Sequence, residues 1–234
     1  MIQSESNVQI KELIKLQKNA RERKKKKLFV AEGMKLTKEA AFHGKLKKIY
    51  IAQDVYEHRE RELDDFLAKQ DYEVVDTKIF RQAAQTVTPQ GMLALVEVPE
   101  YSVDTLLCDP KRSFLLLDDL RDPGNLGTIM RTAEGAGMSG VILSRESVDL
   151  FNPKVVRATM GAIFRVPFYY ADDLIEVIER LKAKQIPVYG TMMQCSEVYD
   201  ALDYTNGAAI VIGNEANGIS EKVTAHLTKG VRIP

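Results

Sequence analysis

The second half of this chain alternates short apolar runs with stretches of helical spacing, and this order limits the possible folds strongly. The runs Phe-Leu-Leu-Leu at 114–117 and Ala-Ala-Ile-Val-Ile at 208–212 contain no polar side chain. Strands that are apolar on both sides are typical of parallel sheets covered by helices on both faces. The alternation therefore predicts an α/β fold with a parallel sheet. Strands are expected near 114–117, 140–143, 187–191, 208–212 and 231–233, and helices near 125–135, 153–160, 172–184 and 220–227.

The first half predicts a second, smaller α/β domain. A chain of 234 residues can form one large domain or two smaller ones, and its apolar content of 45% is ample for a core. No apolar run approaches the roughly 20 residues of a membrane span. Residues 99–111 contain two prolines and acidic residues, so we expect a linker there. The predicted domains are residues 1–104 and 112–234. Expected strands in the first domain are 28–30, 48–52, 72–75 and 93–98, with helices at 34–42 and 57–69.

Charge is unevenly distributed along the chain. The whole sequence is formally neutral, but residues 1–50 contain 14 lysines and arginines against 5 glutamates, a net charge of +9. A solvated helix end explains one lysine run, but the flanking lysines favour nucleic acid as the partner of the first domain. The densest part supplies the predicted RNA contacts, which are Arg23, Lys24, Lys25 and Lys26.

Three loops with unusual residues follow predicted strands. Residues 118–131 run through a Pro-Gly turn into a helix, which presents main-chain N–H groups, Asn125 and Arg131 near one another. The other loops begin at Gly190 and Gly213. Turn geometry explains either glycine alone, and Glu215 could merely flank a helix. All three loops should open at the carboxyl edge of one sheet, where ligands bind in such folds.

The segment 135–140 reads Gly-Ala-Gly-Met-Ser-Gly and matches a dinucleotide-binding pattern. That pattern requires a preceding strand and a following helix, whereas here the predicted order is reversed. We expect these glycines to end a helix, which makes an NAD-linked enzyme improbable. Cys108 and Cys195 lie far apart without a C-x-x-C spacing, so we expect no metal site and a cytoplasmic protein.

Several segments resemble one protein family. Residues 122–133, Asp-Pro-Gly-Asn-Leu-Gly-Thr-Ile-Met-Arg-Thr-Ala, are similar to the first motif of the SpoU/TrmH RNA ribose methyltransferases, in the SPOUT superfamily. Residues 212–220 are similar to the second motif, and Arg157-Ala-Thr-Met-Gly-Ala with Pro167 resembles a segment between them. The region 15–39 resembles the start of the family's substrate-binding domain. Two motifs in order and correctly spaced are more specific than either alone.

The resemblance implies S-adenosylmethionine as cofactor and a ribose 2′-hydroxyl of RNA as methyl acceptor, with ribosomal RNA preferred over transfer RNA. It implies a trefoil-knotted domain and a homodimer to which Ile163, Phe164 and Phe168 could contribute, although core packing explains them equally well. No metal is needed, because the leaving group is neutral. The implied catalytic residues are Asn125, Arg131 and Glu215. The implied cofactor contacts are Gly190, Thr191, Ile212, Gly213, Asn214 and Ile233, and Arg157 joins the predicted RNA contacts.

Two expectations qualify this interpretation. The family's third motif starts at an Ile-Pro pair, and the sequence stops at Ile233 and Pro234, so we expect an incomplete knot and a weakened cofactor site. A non-catalytic RNA-binding protein with a degenerate second half is the alternative. The intact Asn125, Arg131 and Glu215 argue against it.

Overall fold

The computed structural model describes residues 1–108, 112–195 and 197–234. The chain divides into two compact units. The N-terminal unit comprises Met1–Pro99 and Phe151–Phe164, and the C-terminal unit comprises Glu100–Leu150 and Arg165–Pro234. Residues 151–164 are therefore grouped by contacts with the N-terminal unit, although they lie within the predicted second domain. No helix among the described residues is both long and apolar enough to cross a membrane.

Ten strands and eleven α-helices are found in the described residues. The strands are β1 (Leu28–Glu32), β2 (Leu46–Ala52), β3 (Tyr72–Val75), β4 (Met92–Glu97), β5 (Ser113–Leu117), β6 (Gly140–Ser144), β7 (Phe168–Ala171), β8 (Val188–Thr191), β9 (Ala208–Ile212) and β10 (Lys229–Val231). The helices are α1 (Val8–Lys18), α2 (Ala20–Lys26), α3 (Met34–Phe42), α4 (Gln53–Glu57), α5 (Arg61–Leu67), α6 (Thr77–Ala83), α7 (Val103–Leu106), α8 (Pro123–Gly135), α9 (Pro153–Ala158), α10 (Leu174–Ala183) and α11 (Glu221–Thr224).

A four-stranded sheet organises the N-terminal unit. The strand order is β1-β4-β2-β3, with β4 antiparallel to both of its neighbours and β2 parallel to β3. Helix α1 begins after Asn7, whose side chain accepts a hydrogen bond from the Gln9 N–H group at 2.8 Å. Its Ile10, Leu13 and Leu16 recur at helical spacing and are buried against this sheet's core.

The C-terminal unit contains the predicted parallel sheet. Its six strands follow the order β10-β8-β9-β5-β6-β7, and every pair is parallel. Apolar side chains of β5, β6 and β9 pack in one cluster with Ile178 and Leu181 of α10. Helix α8 buries a separate stripe of Leu126, Met130 and Ala133. The predicted α/β fold with helices flanking a parallel sheet is confirmed.

Some predicted elements differ from the structure. The helix expected over 57–69 is shorter in the structure, as α5 (Arg61–Leu67), because a separate short helix, α4, ends at Glu57 and side chains occupy its last carbonyl groups. The His58 ring lies 2.8 Å from the Asp54 carbonyl oxygen, and Arg59 donates to the Tyr56 carbonyl oxygen at 2.7 Å. The strand expected at 231–233 lies two residues earlier, as β10. The sequence patterns did not predict α2, α4, α6, α7 or β7.

The glycine-rich segment 135–140 ends a helix, as predicted. Helix α8 stops at Gly135, and Gly137 adopts a left-handed conformation with φ of 65°. The Met138 N–H group donates to the Ala133 carbonyl oxygen at 2.9 Å, and the Gly137 N–H group to that of Glu134 at 3.0 Å. This pair of bonds is a Schellman cap, which turns the chain into β6 and leaves no phosphate-binding turn between a strand and a helix.

Candidate active site

Two of the predicted loops meet at the carboxyl edge of the six-stranded sheet. Strands β5 and β9 are parallel neighbours, with Leu117 opposite Ile212. The loops that follow them, residues 118–122 and 213–220, therefore leave the sheet side by side. The Asp118 N–H group extends the pairing by donating to the Ile212 carbonyl oxygen at 2.9 Å. The predicted first and second motifs are thus brought together by sheet topology.

Glu215 joins these two loops through its carboxylate. It accepts hydrogen bonds from the Asn125 side-chain amide at 3.1 Å and from the N–H groups of Asp122 at 3.0 Å and Arg121 at 3.2 Å. Asp122 itself caps α8 by accepting from the Asn125 N–H group at 2.7 Å. The predicted catalytic residues Asn125 and Glu215 are therefore in direct contact.

This hydrogen bonding fixes the ionisation of Glu215. Partial burial raises the pKa of its carboxyl group, but the bonds from Asn125 and from main-chain N–H groups outweigh this effect and lower the pKa to about 2. Glu215 is consequently ionised at neutral pH. A carboxylate with so low a pKa is a weak base, so Glu215 is suited to holding its donors in place and poorly suited to accepting a proton.

Asn214 folds the second loop onto the first. Its side-chain amide donates to the Asp119 carbonyl oxygen at 2.9 Å, and its side-chain oxygen accepts from the N–H groups of Ala216 and Asn217. The buried Asp118 adds a second tie between the loops by accepting from the Ser220 N–H group at 2.8 Å. Sequence reasoning missed Asp118, although its place directly after a buried strand was a usable signal.

Gly213 lies where no side chain fits. A Cβ atom at this position would lie 2.1 Å from the carbonyl carbon of Gly218 and 2.2 Å from the nitrogen of Ile219. The main chain of the loop closes on itself here, with Asn214 and Gly218 exchanging two hydrogen bonds of 2.9 Å. Close approach of main chain, rather than turn geometry alone, therefore requires glycine at residue 213.

The remaining predicted cofactor residues lie at or near the ends of neighbouring strands. Gly190 pairs with Val211 on one side and Gly230 on the other, and the Thr191 hydroxyl donates to the Val211 carbonyl oxygen at 3.1 Å. Ile233 is 65% exposed. Thr191 and Ile233 also line a cavity of about 350 Å³ that runs along one face of the sheet. Its other lining residues are Ser113, Met138, Tyr199, Tyr204, Ala208, Ile210 and Val231.

Arg131, the third predicted catalytic residue, is not hydrogen-bonded to Asn125 or Glu215. It lies on the exposed side of α8, and it forms no hydrogen bond or ion pair with any described residue. The Asn125–Glu215 contact therefore does not include the arginine. Its guanidinium group is free to meet a ligand.

Comparison with known proteins identifies the family. Residues 112–234 match the SpoU rRNA Methylase family, and residues 7–94 match the MRM3-like substrate binding domain. The chain belongs to the SpoU rRNA methylase family. A relative in Bacillus subtilis (strain 168), the 23S rRNA (guanosine(2553)-2′-O)-methyltransferase RlmP, is 31% identical over all of this chain and 90% of its own length. The family predicted from the two motifs is confirmed.

Solved structures described as RNA methyltransferases share the fold. An AdoMet-bound rRNA methyltransferase from Sinorhizobium meliloti is 29% identical, with a TM-score of 0.85 over 100% of this chain and 88% of that chain. A putative RNA methyltransferase of the TrmH family from Porphyromonas gingivalis is 32% identical, with a TM-score of 0.79 over 98% and 88%.

The predicted RNA contacts of this SpoU-family chain differ sharply in exposure. Arg23 is buried, and its guanidinium group donates to the carbonyl oxygens of Leu16 at 2.6 Å and Gln17 at 3.1 Å. This geometry gives Arg23 a structural role at the end of α1 instead of the predicted RNA contact. Lys26 pairs with Glu12, whereas Lys24 and Lys25 are exposed and form no ion pair within the described part of the chain.

The low pKa of Glu215 leads to a prediction about stability. Replacing Glu215 with glutamine is expected to lower the free energy of unfolding at pH 7 by about 1 kcal/mol, because an exposed charged hydrogen-bond acceptor is lost. The carboxyl pKa is lower in the folded protein, about 2, than the ordinary value of 4.5. The contribution of the ionised group is therefore complete above about pH 4.5 and is lost as the pH falls towards 2.

Urea unfolding of the wild type and Glu215→Gln at pH 7, 4 and 3 measures this effect. The difference between the two proteins should shrink as the pH falls. Glu221→Gln is the matched control, since Glu221 is exposed in the same region and its side chain forms no hydrogen bond or ion pair with the described residues. If the difference in the free energy of unfolding between the two proteins does not change with pH, the packing of the side chain explains it and the charge does not.

Proposed function

We propose that this chain methylates a ribose 2′-hydroxyl in ribosomal RNA, with S-adenosylmethionine as methyl donor. The observation that carries the proposal is the contact between Asn125 and Glu215, which joins the family's two motifs at one edge of the sheet. The Bacillus subtilis relative supports the substrate class, because its name specifies 2′-O-methylation of 23S rRNA.

The loops at the carboxyl edge fit a cofactor held mainly by main chain. The side chains of Thr191 and Asn214 are already bonded to protein carbonyl groups, so we assign cofactor binding to main-chain groups of the loops that follow Thr191 and Ile212. Ile233 and the adjoining cavity offer apolar surface for a flat ring. The Sinorhizobium meliloti relative is described as AdoMet-bound, which supports this cofactor.

Arg131, Asn125 and Glu215 have separate roles in the proposed reaction. The cofactor supplies an electrophilic methyl group bound to a sulfonium. The leaving group is a neutral thioether, so its departure needs no metal. Arg131 stays protonated at neutral pH, because the pKa of a guanidinium group exceeds about 12. We therefore assign it to stabilising the charge that develops on the 2′-oxygen as the hydroxyl proton passes to solvent water, and to binding the adjacent phosphate. Asn125, held by Glu215, positions the ribose.

Methylation of ribosomal RNA in vitro tests this function. Ribosomal RNA from cells that lack the gene is incubated with the protein and S-adenosylmethionine, digested, and searched by mass spectrometry for 2′-O-methylnucleosides. One new methylated nucleotide is the expected result. If the protein binds ribosomal RNA but does not methylate it, the non-catalytic alternative is favoured.

The proposal assigns RNA binding outside the site to exposed lysines of α2. Replacing Lys24 and Lys25 with alanine is expected to weaken RNA binding and to lower the slope of log affinity against log salt by about 0.7 for each lost phosphate contact. Filter binding at several salt concentrations measures both quantities. Lys69 and Lys78 are exposed lysines elsewhere in the N-terminal unit, and their double alanine variant is the control. Equal slopes for the two double variants would remove α2 from the RNA interface.

We also propose a homodimer formed by the C-terminal unit. Ile163, Phe164 and Phe168 are each at most 5% exposed, so they pack in the core and do not support this proposal. Exposed apolar side chains of Met193, Tyr199 and Ile233 are better candidates for the contact. Light scattering at micromolar concentration should give twice the mass of one chain, and a monomer at that concentration would contradict the proposal.

Two finer features complete the proposal. A cytoplasmic location agrees with the free thiols of Cys108 and Cys195, and cell fractionation tests it. A trefoil knot, implied by the family resemblance, is tested by tracing the chain in an experimental structure with bound cofactor.

A further inference from the structure

The N-terminal unit contains a cavity of about 360 Å³ that the proposed reaction does not use. Three segments of this unit line it: the turn from β1 into α3, the loop between α6 and β4, and the segment 151–164. We call it the Arg157 pocket. Its lining residues are Glu32, Gly33, Lys35, Leu36, Thr86, Thr88, Gln90, Arg157 and Met160.

Arg157 has an unused donor at this pocket. Its Nη1 atom is buried and has no hydrogen-bond partner among the described residues. The nearest carboxylate oxygen, Oε2 of Glu32, lies 3.8 Å away, which is too far for a hydrogen bond. Glu32 is already bonded to the Gln85 N–H group at 3.3 Å and to the Thr86 hydroxyl. An unpaired buried donor is costly, so an anionic acceptor at this point would stabilise the site.

The amino end of α3 adds positive potential to the same pocket. No side chain among the described residues caps this nine-residue helix, whose N-cap is Gly33, so its first N–H groups are available to a ligand. Lys35 is exposed beside them and forms no ion pair in the described residues. A Cβ atom at residue 33 would lie 2.7 Å from Oε1 of Gln90, so glycine allows that amide to lie over the turn.

The rest of the lining suits a flat ring with polar edges. Leu36 and Met160 supply apolar surface, while Thr88 and Gln90 supply exposed hydrogen-bonding groups. A phosphate beside a planar, hydrogen-bonding ring is the chemistry of a nucleotide. The bases of an RNA duplex are stacked and paired, and only an unpaired nucleotide can enter such a cavity.

We propose that the Arg157 pocket binds one unpaired nucleotide of the RNA substrate, with its phosphate at Arg157 and Lys35 and its base edge at Gln90. This inference rests on the proposed function in so far as RNA is the substrate. It adds a recognition site within the N-terminal unit, and it gives Arg157 a ligand of defined chemistry.

Fluorescence anisotropy with short labelled homopolymers of single-stranded RNA tests the pocket on the full chain. Lys35→Ala should weaken binding about threefold to tenfold and lower the salt slope by about 0.7. Lys69→Ala removes an exposed lysine of the same unit outside the pocket and should match the wild type. Gln90→Leu keeps the side-chain size and should change the order of preference among the four homopolymers without changing the salt slope.

Arg157→Lys keeps the charge but loses the planar fork, so it should weaken binding while thermal melting confirms that the protein is folded. Competition by millimolar nucleoside monophosphates against a labelled homopolymer would support a pocket for a single nucleotide. If Arg157→Lys binds duplex RNA less well than the wild type but binds single-stranded RNA equally well, the proposal is wrong.

The outcomes separate this inference from the proposed function. If the wild type binds RNA and Lys24→Ala/Lys25→Ala weakens it, but Lys35→Ala, Arg157→Lys and Gln90→Leu bind like the wild type, the pocket proposal is wrong and the proposed function stands. A wild type that binds no RNA and methylates none would instead overturn the proposed function.

Discussion

Replacing Arg131 with alanine is expected to lower the rate of methyl transfer by about 10²–10³, because one preorganised stabiliser of the developing oxyanion is lost. The fold and most of the cofactor affinity should be unchanged. Arg131 is exposed and makes no hydrogen bond or ion pair with the described residues, so its removal leaves no protein group unpaired. The loss should therefore appear in the rate constant of the chemical step.

Single-turnover methylation of RNA at saturating cofactor measures that step, and calorimetry measures cofactor binding separately. Arg131→Lys should restore little activity, because a point charge replaces a planar fork that can contact phosphate and ribose oxygen together. Lys184→Ala, which removes an exposed cation at the opposite edge of the sheet, is the control. Turnover of Arg131→Ala at the wild-type rate would remove this residue from the catalytic machinery.

The carboxyl-edge site could be predicted because its placement follows from topology. Once Phe114–Leu117 and Ala208–Ile212 are recognised as buried parallel strands, the loops after them must leave the same edge of the sheet. The contact between Asn125 and Glu215 is a consequence of that placement. The function of Arg131 was inferred from motif resemblance, and the structure neither pairs the residue nor buries it.

Other features depend on tertiary contacts that local patterns do not encode. Arg23 lies in a lysine-rich run and has the composition of a solvated surface, yet it is buried because the carbonyl groups at the end of α1 need donors. The grouping of residues 151–164 with the N-terminal unit could not be predicted from periodicity either. A helical pattern predicts α9 but not the part of the chain against which this segment packs. Aromatic packing provides that contact, with Phe151 5.0 Å and Phe164 6.2 Å from the ring of Phe29.

Among glycine-to-alanine substitutions in the described part of the C-terminal unit, Gly213→Ala should lower the free energy of unfolding most. The added Cβ atom would lie 2.1–2.3 Å from main-chain atoms of Gly218 and Ile219, which cannot move as a flexible side chain would. The loop must open, so the paired hydrogen bonds between Asn214 and Gly218 are strained or lost. We expect a loss of about 2–4 kcal/mol in the free energy of unfolding and at least tenfold weaker cofactor binding.

Two further glycines separate the possible causes of this loss. Gly218→Ala places a Cβ atom in open space at a φ of 69°, so it costs only backbone strain, about 1 kcal/mol. Gly135→Ala also meets open space, at the end of α8, and should be neutral or slightly stabilising. Urea unfolding and calorimetric titration with S-adenosylmethionine rank the three variants. If Gly213→Ala binds the cofactor as the wild type does, the tight closure of the second loop serves stability alone, and the ligand must be held by the loops at Thr191 and Ile233.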